Sequence, residues 1–444
     1  MRIDFSPPDI TEAEIAAVAE VLRSGWITTG QRTKELERRL AQWCGTPKVA
    51  CLSSATAALE CALRLLGIGP GDEVITSAYT YTASASVIYH VGATPVLIDV
   101  APGSYQMDYD ALAAAVTPRT KAIIPVDIAG IMCNYDRLLA ILREPSVASY
   151  YTPASGTLQT AFDRVPIIAD AAHSFGATYR GQPSGAVADF TAFSFHAVKN
   201  LTTAEGGALT WRSREASSTA FGTQAPSPVS DAASSTAFDD EELYHQLMLL
   251  SLHGQSKDAL AKNTAGSWDY DIVEPYYKCN MTDMAAALGL AQFERYQGLL
   301  LRRRAILERY ESGLKQGATQ QGAAQHGMAS QGVPLDFLQH YTDEGCSSGH
   351  LCLVRLPGRS EAFRNRMIAH MAAADIACNV HYKPLPLLSA YRKRGFCIED
   401  YPNALAQYRC EISLPLHTRL SDEMVDYVIA SFWDAYQKCV EEDV

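Results

Sequence analysis

The 444-residue sequence lacks the features that mark membrane and secreted proteins. No run of about eighteen apolar residues occurs, so we expect no membrane-spanning helix. Residues 1–8 have no long apolar core of a signal peptide. The 11 cysteines are scattered singly, without a C-x-x-C pair and in odd number, which favours reduced thiols over a disulfide framework. We therefore predict a cytoplasmic protein, and we assign no residue to a metal ion.

The sequence also lacks an excess of positive charge. It has 37 Lys and Arg against 49 Asp and Glu, for a net charge of −12, and no basic cluster offsets this balance. Such a chain is poorly suited to bind nucleic acid or an anionic membrane. With 48% hydrophobic and 19% charged residues, its composition is that of a globular protein with one large core and a smaller domain.

Short apolar runs alternate with helical patterns along the first half of the chain. We predict strands at 48–52, 73–76, 95–98, 122–126, 165–169 and 190–193, and helices at 55–66, 83–90 and 110–116. Strands without polar alternation, separated by helices, predict an α/β fold with a mostly parallel sheet buried on both faces. Ligands of such sheets bind at the carboxyl ends of the strands.

The organisation of the chain predicts two domains. Residues 1–299 form an N-terminal arm and the large domain, and the first helix opens with a capping box from Thr11 to Glu14. Residues 300–444 form a small C-terminal domain, with helices near 361–373 and 422–436.

Three polar segments interrupt these patterns. Residues 145–164 and 213–240 are rich in Ser, Thr and Ala, and we predict that both are surface insertions. Residues 316–332 are rich in Gln, Gly and Ala and are predicted to form an exposed loop.

Lys199 lies in the segment Ser194 to Asn200, after an aromatic strand and before the small residues Gly206 and Gly207. A buried lysine is made nucleophilic by desolvation, which suits a Schiff base with an aldehyde cofactor. The alternative is a solvated surface lysine whose stem covers apolar area.

Four further sites in the sequence suit an aldehyde cofactor with a phosphate and a pyridine ring. The turn at 53–57 can offer N–H groups and hydroxyls to a phosphate, or be an ordinary helix cap. Asp170 can hold a pyridinium nitrogen protonated, or cap the next turn. Tyr81 can stack on a planar ring, or belong to the core. His173 can contact a ring hydroxyl or fill a polar gap.

These residues and their surroundings resemble the DegT/DnrJ/EryC1/StrS family of sugar aminotransferases. The motifs that carry the resemblance lie at 24–30, 69–75, 169–173, 194–207 and 281–289, in the order of the family. The resemblance implies an α/β, type I (aspartate aminotransferase) fold with a smaller α+β C-terminal domain. It also implies pyridoxal 5′-phosphate (PLP) as cofactor, and a homodimer with shared active sites.

The resemblance assigns a role to each candidate residue. It implies Lys199 as the Schiff-base lysine, Asp170 at the pyridine nitrogen, His173 near the ring hydroxyl and Tyr81 on the ring face. The remaining assignments are Ala55, Thr56 and Ser194 at the phosphate, Lys278 at the phosphate of the partner subunit, and Thr28, Thr29, His381 and Tyr382 beside the sugar nucleotide.

Departures from the family pattern narrow the choice of substrate. Ala55 stands where many relatives have Gly and Lys278 where many have Asn, which resembles the branch that acts at C4 of UDP-linked keto sugars, including the 4-amino-arabinose enzymes. Asp127 stands where relatives often have His. We therefore expect transfer of an amino group from glutamate to the C4 keto group of a nucleotide sugar.

Three other functions compete with this interpretation. A dehydratase of the same family has a histidine in place of the lysine, and Lys199 counts against it. A non-catalytic or regulatory protein with this fold that binds a sugar nucleotide stays open, because fold does not fix function. A nicotinamide-dependent oxidoreductase is disfavoured because no G-x-G-x-x-G follows the first strand.

Overall fold

The computed structural model describes residues 1–212, 239–257, 269–326 and 333–443, without the side chains of 322–326. The predicted insertion at 213–240 therefore lies outside the described residues except for its last two positions. Among the described residues, no helix combines the length and apolarity needed to cross a membrane.

Strands and helices alternate along the described chain. The strands are β1 Val49–Leu52, β2 Glu73–Ser77, β3 Thr94–Ile98, β4 Thr120–Ile124, β5 Ile168–Asp170, β6 Thr178–Tyr179, β7 Gln182–Pro183, β8 Phe190–Ser194, β9 Gly207–Trp211, β10 Asp336–Phe337, β11 Tyr341–Thr342, β12 Gly345–Cys346, β13 Cys352–Arg355 and β14 Glu411–Leu414. The helices are α1 Glu12–Ser24, α2 Gln31–Cys44, α3 Ala55–Leu65, α4 Ala83–His90, α5 Tyr109–Ala115, α6 Tyr135–Arg143, α7 Pro145–Ala148, α8 Asp240–Ser251, α9 Asp283–Glu294, α10 Tyr296–His326, α11 Glu361–Ala373, α12 Ser389–Arg392, α13 Pro402–Cys410 and α14 Asp422–Glu442.

Seven strands form the central sheet, in the order β1-β9-β8-β5-β4-β2-β3. Two parallel bridges, Ile123 to Ile167 and Val126 to Asp170, join its two halves. The pairs β2–β3, β2–β4 and β5–β8 are parallel, and only β9 within this sheet runs antiparallel to its neighbours β1 and β8. Strands β1, β2, β4 and β9 are buried along their whole length, as expected for a sheet covered on both faces. The predicted, mostly parallel sheet is confirmed.

A second hydrophobic core lies among β13, β14 and helices α10, α11 and α14. The predicted helix at 361–373 is confirmed, and the helix predicted at 422–436 continues to Glu442. Ile3 of the N-terminal arm belongs to this core and pairs with Ile376. The proposed domain boundary at 299/300 falls in the first turn of α10 and stays a prediction.

The prediction of an exposed loop at 316–332 is wrong over residues 316–326. Residues 316–326 are not a loop, because α10 continues through them to His326. Ala and Gln are good helix formers, Ala318 is buried, and Gly317 lets the Trp433 indole lie against the helix backbone. Residues 327–332 lie outside the described part of the chain.

The segment 145–164 lies mostly at the surface, as predicted, but a few of its residues are buried. Val147, Tyr151 and Gln159 are buried within it. Gln159 Nε2 donates a hydrogen bond to the Leu66 carbonyl (2.9 Å), at the end of α3. These buried residues and this hydrogen bond hold the segment against the large domain.

Candidate active site

A cavity of about 440 Å³ lies at the carboxyl ends of β1, β2, β5 and β8. Segments that follow these strands form most of its wall, and the chain around residue 381 closes it from the other side. The lining residues are Ser54, Ala55, Thr56, Thr80, Tyr81, Ala83, Val126, Asp170, Ala172, His173, Ser194, His196, Val198, Lys199, Glu205, Gly206, His381 and Tyr382. The structure thus brings together nine of the residues that the sequence singled out, from five separate segments.

One end of the cavity is formed by the N-terminus of α3. Ser54 caps this helix, and its Oγ accepts a hydrogen bond from the Ala57 N–H (3.0 Å). Ala55 and Thr56 line the cavity in the first turn, where N–H groups have no partner within the helix and favour an anion. Ser194 adds a hydroxyl from the end of β8.

Gly207, the first residue of β9, lies against the start of α3. A Cβ at this position would lie 2.3 Å from the Ser54 carbonyl carbon and 2.4 Å from the Ala55 nitrogen. Only glycine permits this approach of the two backbones. The glycine pair that the sequence placed after Lys199 therefore shapes the anion-binding end of the cavity.

Lys199 is partly buried in the cavity wall, in a turn closed by its own N–H and the His196 carbonyl (2.9 Å). Burial lowers the pKa of its ammonium group to about 8, and the charge of Asp170 opposes this shift only in part. Desolvation thus gives Lys199 the lowered pKa that its predicted role requires.

Asp170 ends β5 and is 5% exposed. Its Oδ2 accepts a hydrogen bond from Ser84 Oγ (2.6 Å), and its Oδ1 accepts one from the Ala172 N–H (3.2 Å). Burial raises the pKa of this carboxyl above its usual value, against the effect of these hydrogen bonds and of Lys199. No ion pair to Asp170 occurs within the described ranges of the chain. Its burial and position therefore suit a cationic ring nitrogen bound in the cavity.

His173 is fixed as a neutral imidazole. Its Nδ1 accepts a hydrogen bond from the Ala129 N–H (3.2 Å), so the proton lies on Nε2, 3.0 Å from Tyr382 Oη. Burial and the nearby charge of Lys199 lower its pKa well below the usual value. The Tyr81 ring is 61% exposed and lies 5.9 Å from the Tyr382 ring, so Tyr81 belongs to the cavity mouth and not to the core.

Three predicted residues do not line the cavity. Asp283 N donates to the Thr28 carbonyl (3.1 Å), and Thr29 Oγ1 donates to the Met281 carbonyl (2.5 Å). Lys278 is exposed and its Nζ donates to Asn280 Oδ1. The roles of Thr28 and Thr29 beside the sugar nucleotide, and of Lys278 at the phosphate of the partner subunit, stay predictions.

Several polar contacts around the cavity were not predicted from the sequence. Ser84, which holds Asp170, lies in an ordinary helical segment. The His350 ring lies against the His173 ring, with centroids 4.3 Å apart and the planes tilted by 41°, and Asn200 orders it through a 3.0 Å hydrogen bond to Nδ1. Asp127 does not line the cavity; it is buried and accepts hydrogen bonds from the Cys133 N–H, Tyr135 and Ser174, and burial raises its pKa to about 6.

Comparisons with known proteins agree with this geometry. The model of the DegT/DnrJ/EryC1/StrS aminotransferase family matches residues 8–149, 160–230 and 235–433. The putative sugar aminotransferase Spr1654 from Streptococcus pneumoniae, in its PMP form, has 53% identity and a TM-score of 0.86, over 99% of this chain and 100% of that chain. Its PLP form has 51% identity, the same coverage and a TM-score of 0.86.

A curated relative extends the agreement. The spore coat polysaccharide biosynthesis protein SpsC of Bacillus subtilis is 35% identical over 436 residues, which are 97% of this chain and 96% of SpsC. The predicted α/β, type I transferase fold is confirmed by the solved structures and by the observed sheet. The chain therefore belongs to the DegT/DnrJ/EryC1/StrS aminotransferase family.

Proposed function

We propose that the chain is a PLP-dependent aminotransferase that moves an amino group from glutamate to the C4 keto group of a UDP-linked sugar. The observation that carries this proposal is the presence of Lys199, Asp170 and the α3 N-terminus in one cavity of about 440 Å³. When bound, PLP supplies an aldehyde that receives the amine and an electron-poor ring that stabilises negative charge on the substrate carbon.

The residues of the cavity fit this cofactor. Asp170 is a buried carboxyl without an ion pair in the described chain, which suits a protonated ring nitrogen. The α3 N-terminus and the Ser194 hydroxyl suit a phosphate at the other end. Tyr81 stands at the mouth, where its ring can cover one face of a planar ligand.

Lys199 acts as the general base and acid of the reaction. An amine with a pKa of about 8 is about half neutral at pH 8, whereas an ordinary lysine is neutral there to under about 1%. Its Nζ can therefore take a proton from a carbon atom of the substrate and donate it again later in the same turnover. His173, neutral and hydrogen-bonded to Tyr382, supplies an N–H donor beside it.

Lys278 supports a homodimer with shared active sites. It lies outside the cavity of its own subunit, and its segment is exposed at Tyr277. As the resemblance implies, this exposed cation would meet a phosphate across a subunit interface.

The C4 position and the UDP group rest on two residues. Ala55 lines the anion-binding end of the cavity, and Lys278 is the exposed cation just described. The name of SpsC, a polysaccharide biosynthesis protein, supports a sugar of a surface polymer as the substrate class.

A substrate panel tests the proposal. Purified holoenzyme is incubated with glutamate and UDP- or dTDP-linked 3-keto and 4-keto sugars, and 2-oxoglutarate and the amino sugar are measured. We expect ping-pong kinetics with a UDP-linked 4-keto sugar and no turnover by the Lys199→Ala variant. Activity confined to 3-keto substrates would refute the C4 assignment. Loss of a sugar hydroxyl without amine transfer would show a dehydratase instead.

A further inference from the structure

A second buried carboxyl lies behind the cavity wall. Glu411, at the start of β14, has 0% exposure, and so does Ser413 two residues later on the same strand. Ser413 Oγ lies 2.5 Å from Glu411 Oε1 and 2.8 Å from His381 Nδ1. The backbone N–H of His381 donates a hydrogen bond to Glu411 Oε2 (3.0 Å). A continuous hydrogen-bonded chain therefore runs from Glu411 through Ser413 to an imidazole that lines the cavity.

The groups around Glu411 compensate its charge only in part. The nearest cation, Arg364, donates to the main-chain carbonyls of Tyr408 (2.9 Å) and Glu411 (3.2 Å) and not to the carboxyl group. The other titratable groups that face Glu411 are phenols and thiols whose pKa values burial raises, so they are neutral: Tyr79, Tyr105, Tyr382, Cys352, Cys378 and Cys410. Burial raises the pKa of Glu411 to about 8. Below that pH, Glu411 carries its proton.

His381 is neutral in the same pH range. Burial and the charge of Lys199 lower its pKa to about 4. Its other charged or titratable neighbours, His173 and His350, are themselves held neutral by burial. The His381 ring stacks on the Phe5 ring, with centroids 5.4 Å apart, and also packs edge-to-face on the Tyr382 ring. Because Nδ1 is engaged by Ser413, Nε2 is the nitrogen left for a group bound in the cavity.

The hydrogen-bond partners determine which atom carries the proton in each of the linked groups Glu411, Ser413 and His381. A protonated Glu411 donates to Ser413 Oγ, the Ser413 hydroxyl then donates to His381 Nδ1, and the imidazole proton must lie on Nε2. When Glu411 ionises, Ser413 donates to the carboxylate instead. Nδ1 then takes the imidazole proton, and Nε2 becomes an acceptor.

We propose that Glu411 and Ser413 are positioning residues that hold His381 in its Nε2–H tautomer, so that it donates a hydrogen bond to an oxygen of the bound sugar nucleotide. The identity of that ligand rests on the proposed function, but the tautomer does not. The site thereby selects substrates that place a hydroxyl, carbonyl or phosphate oxygen at His381. Above about pH 8 this donor is lost.

Spectroscopy of the holoenzyme tests the relay without turnover. In infrared spectra, we expect a protonated-carboxyl band that shifts on ¹³C-glutamate labelling, disappears in Glu411→Gln and titrates near pH 8. In long-range ¹H–¹⁵N spectra, His381 is assigned by comparison with His381→Asn. We expect its Nε2–H form at pH 7 and loss of that form at pH 9. An ionised Glu411 at pH 7, or an Nδ1–H tautomer, would overturn the proposal.

Matched variants extend the test to function. Glu411→Gln supplies a permanent N–H donor to Ser413 and should keep the Nε2–H tautomer at pH 9. In the wild type, we expect the KM for the sugar nucleotide to rise about threefold to tenfold from pH 7 to 9, the size of one hydrogen bond. In Glu411→Gln this rise should be absent, while the effect of Lys199 titration on kcat persists.

A final pair of variants separates positioning from folding. Ser413→Ala breaks the relay and should raise the KM at pH 7 and mix the tautomers, whereas Ser413→Thr keeps the hydroxyl and should restore both. An unchanged alkaline rise in Glu411→Gln refutes the relay. If no nucleotide sugar is turned over, the proposed function fails, and the spectra still decide the tautomer.

Discussion

The substitution Gly207→Ala tests how the anion-binding end of the cavity is built. The added Cβ would lie 2.3 Å from the Ser54 carbonyl carbon, 2.4 Å from the Ala55 nitrogen and 2.6 Å from the Ser54 oxygen. Normal contact needs about 3.5 Å, so β9 and the start of α3 must separate by roughly 1 Å. Neither side yields easily, because Gly207 pairs with Leu52 and Ser194 within the sheet.

The expected effect has two parts. Overpacking of two backbone segments costs about 1–3 kcal/mol of the free energy of unfolding, and we expect the upper end of this range. A 1 Å displacement of the α3 N-terminus also removes at least one charge-assisted hydrogen bond to a phosphate, worth about 1.5–3 kcal/mol. The Kd for PLP should therefore rise by about tenfold to more than a hundredfold.

The assay measures PLP binding by visible absorbance and unfolding by urea titration of the cofactor-free protein. Gly298→Ala is the matched control, because its Cβ would meet nothing within 4 Å on the exposed side of α10. This control should gain about 0.5–1 kcal/mol of stability and bind PLP normally. A Gly207→Ala variant with wild-type PLP affinity would refute the assigned phosphate site.

Other predictions concern the lysine, the carboxylates and the dimer. Lys199→Ala should lose the visible band of the PLP form and lower turnover by at least about 10²-fold, and borohydride should leave a stable cofactor adduct on residue 199 of the wild type only. Asp170→Asn should bind PLP but lower kcat by about 10²-fold, while it stabilises the cofactor-free protein above pH 5 in urea titrations, because a buried charge is removed. Asp283→Ala should lower the free energy of unfolding by about 2–4 kcal/mol, because Asp283 accepts four hydrogen bonds at the start of α2. The control Asp110→Ala breaks an exposed ion pair and should lower it by under about 1 kcal/mol. Mixing equal amounts of Lys199→Ala and Lys278→Ala subunits should restore up to about a quarter of the activity, because about half of the dimers are then mixed and each mixed dimer has one intact site of two; no recovery would place Lys278 in its own subunit's site.

The parallel strands of the large sheet were predictable, but β9 was not. Apolar runs such as 73–76 and 122–126 are buried on both faces and therefore show the signal of a parallel strand without long-range information. Strand β9 starts at Gly207, a residue that disfavours strands. It forms because it pairs on both sides, with the nearby strand β8 and with β1, which lies far away in the sequence. Its antiparallel direction is a property of that pairing.

The helix across residues 316–326 was missed for a related reason. Its Gln, Gly and Ala composition resembles that of an exposed loop. Leu314 and Ala318 are nevertheless buried one turn apart, and Gly317 admits Trp433 of α14. Local composition cannot report a packing partner more than a hundred residues away. Tertiary contact decided the structure of this segment.

The residues around the cavity also fall into two groups, those that the sequence predicts and those that only the structure reveals. Positions at the ends of predicted strands, such as Asp170 and Ser194, follow from the rule that ligands bind at the carboxyl edge of a parallel sheet. Ser84 and His350 act through contacts with Asp170 and His173 that span 86 residues or more, and no local pattern marks them. Their roles follow only from the three-dimensional structure.

Asp170 and Glu411 are two buried carboxyl groups that bear on the cavity. Asp170 ends the strand β5 and Glu411 begins the strand β14, and a buried carboxylate costs free energy unless a partner compensates it. For both groups, burial raises the pKa, and neither forms an ion pair within the described residues. A fold that keeps Asp170 in the wall of the cavity and Glu411 behind that wall loses stability there. The simplest physical reason for keeping them is a ligand that meets Asp170 with a positive charge and His381 with an oxygen.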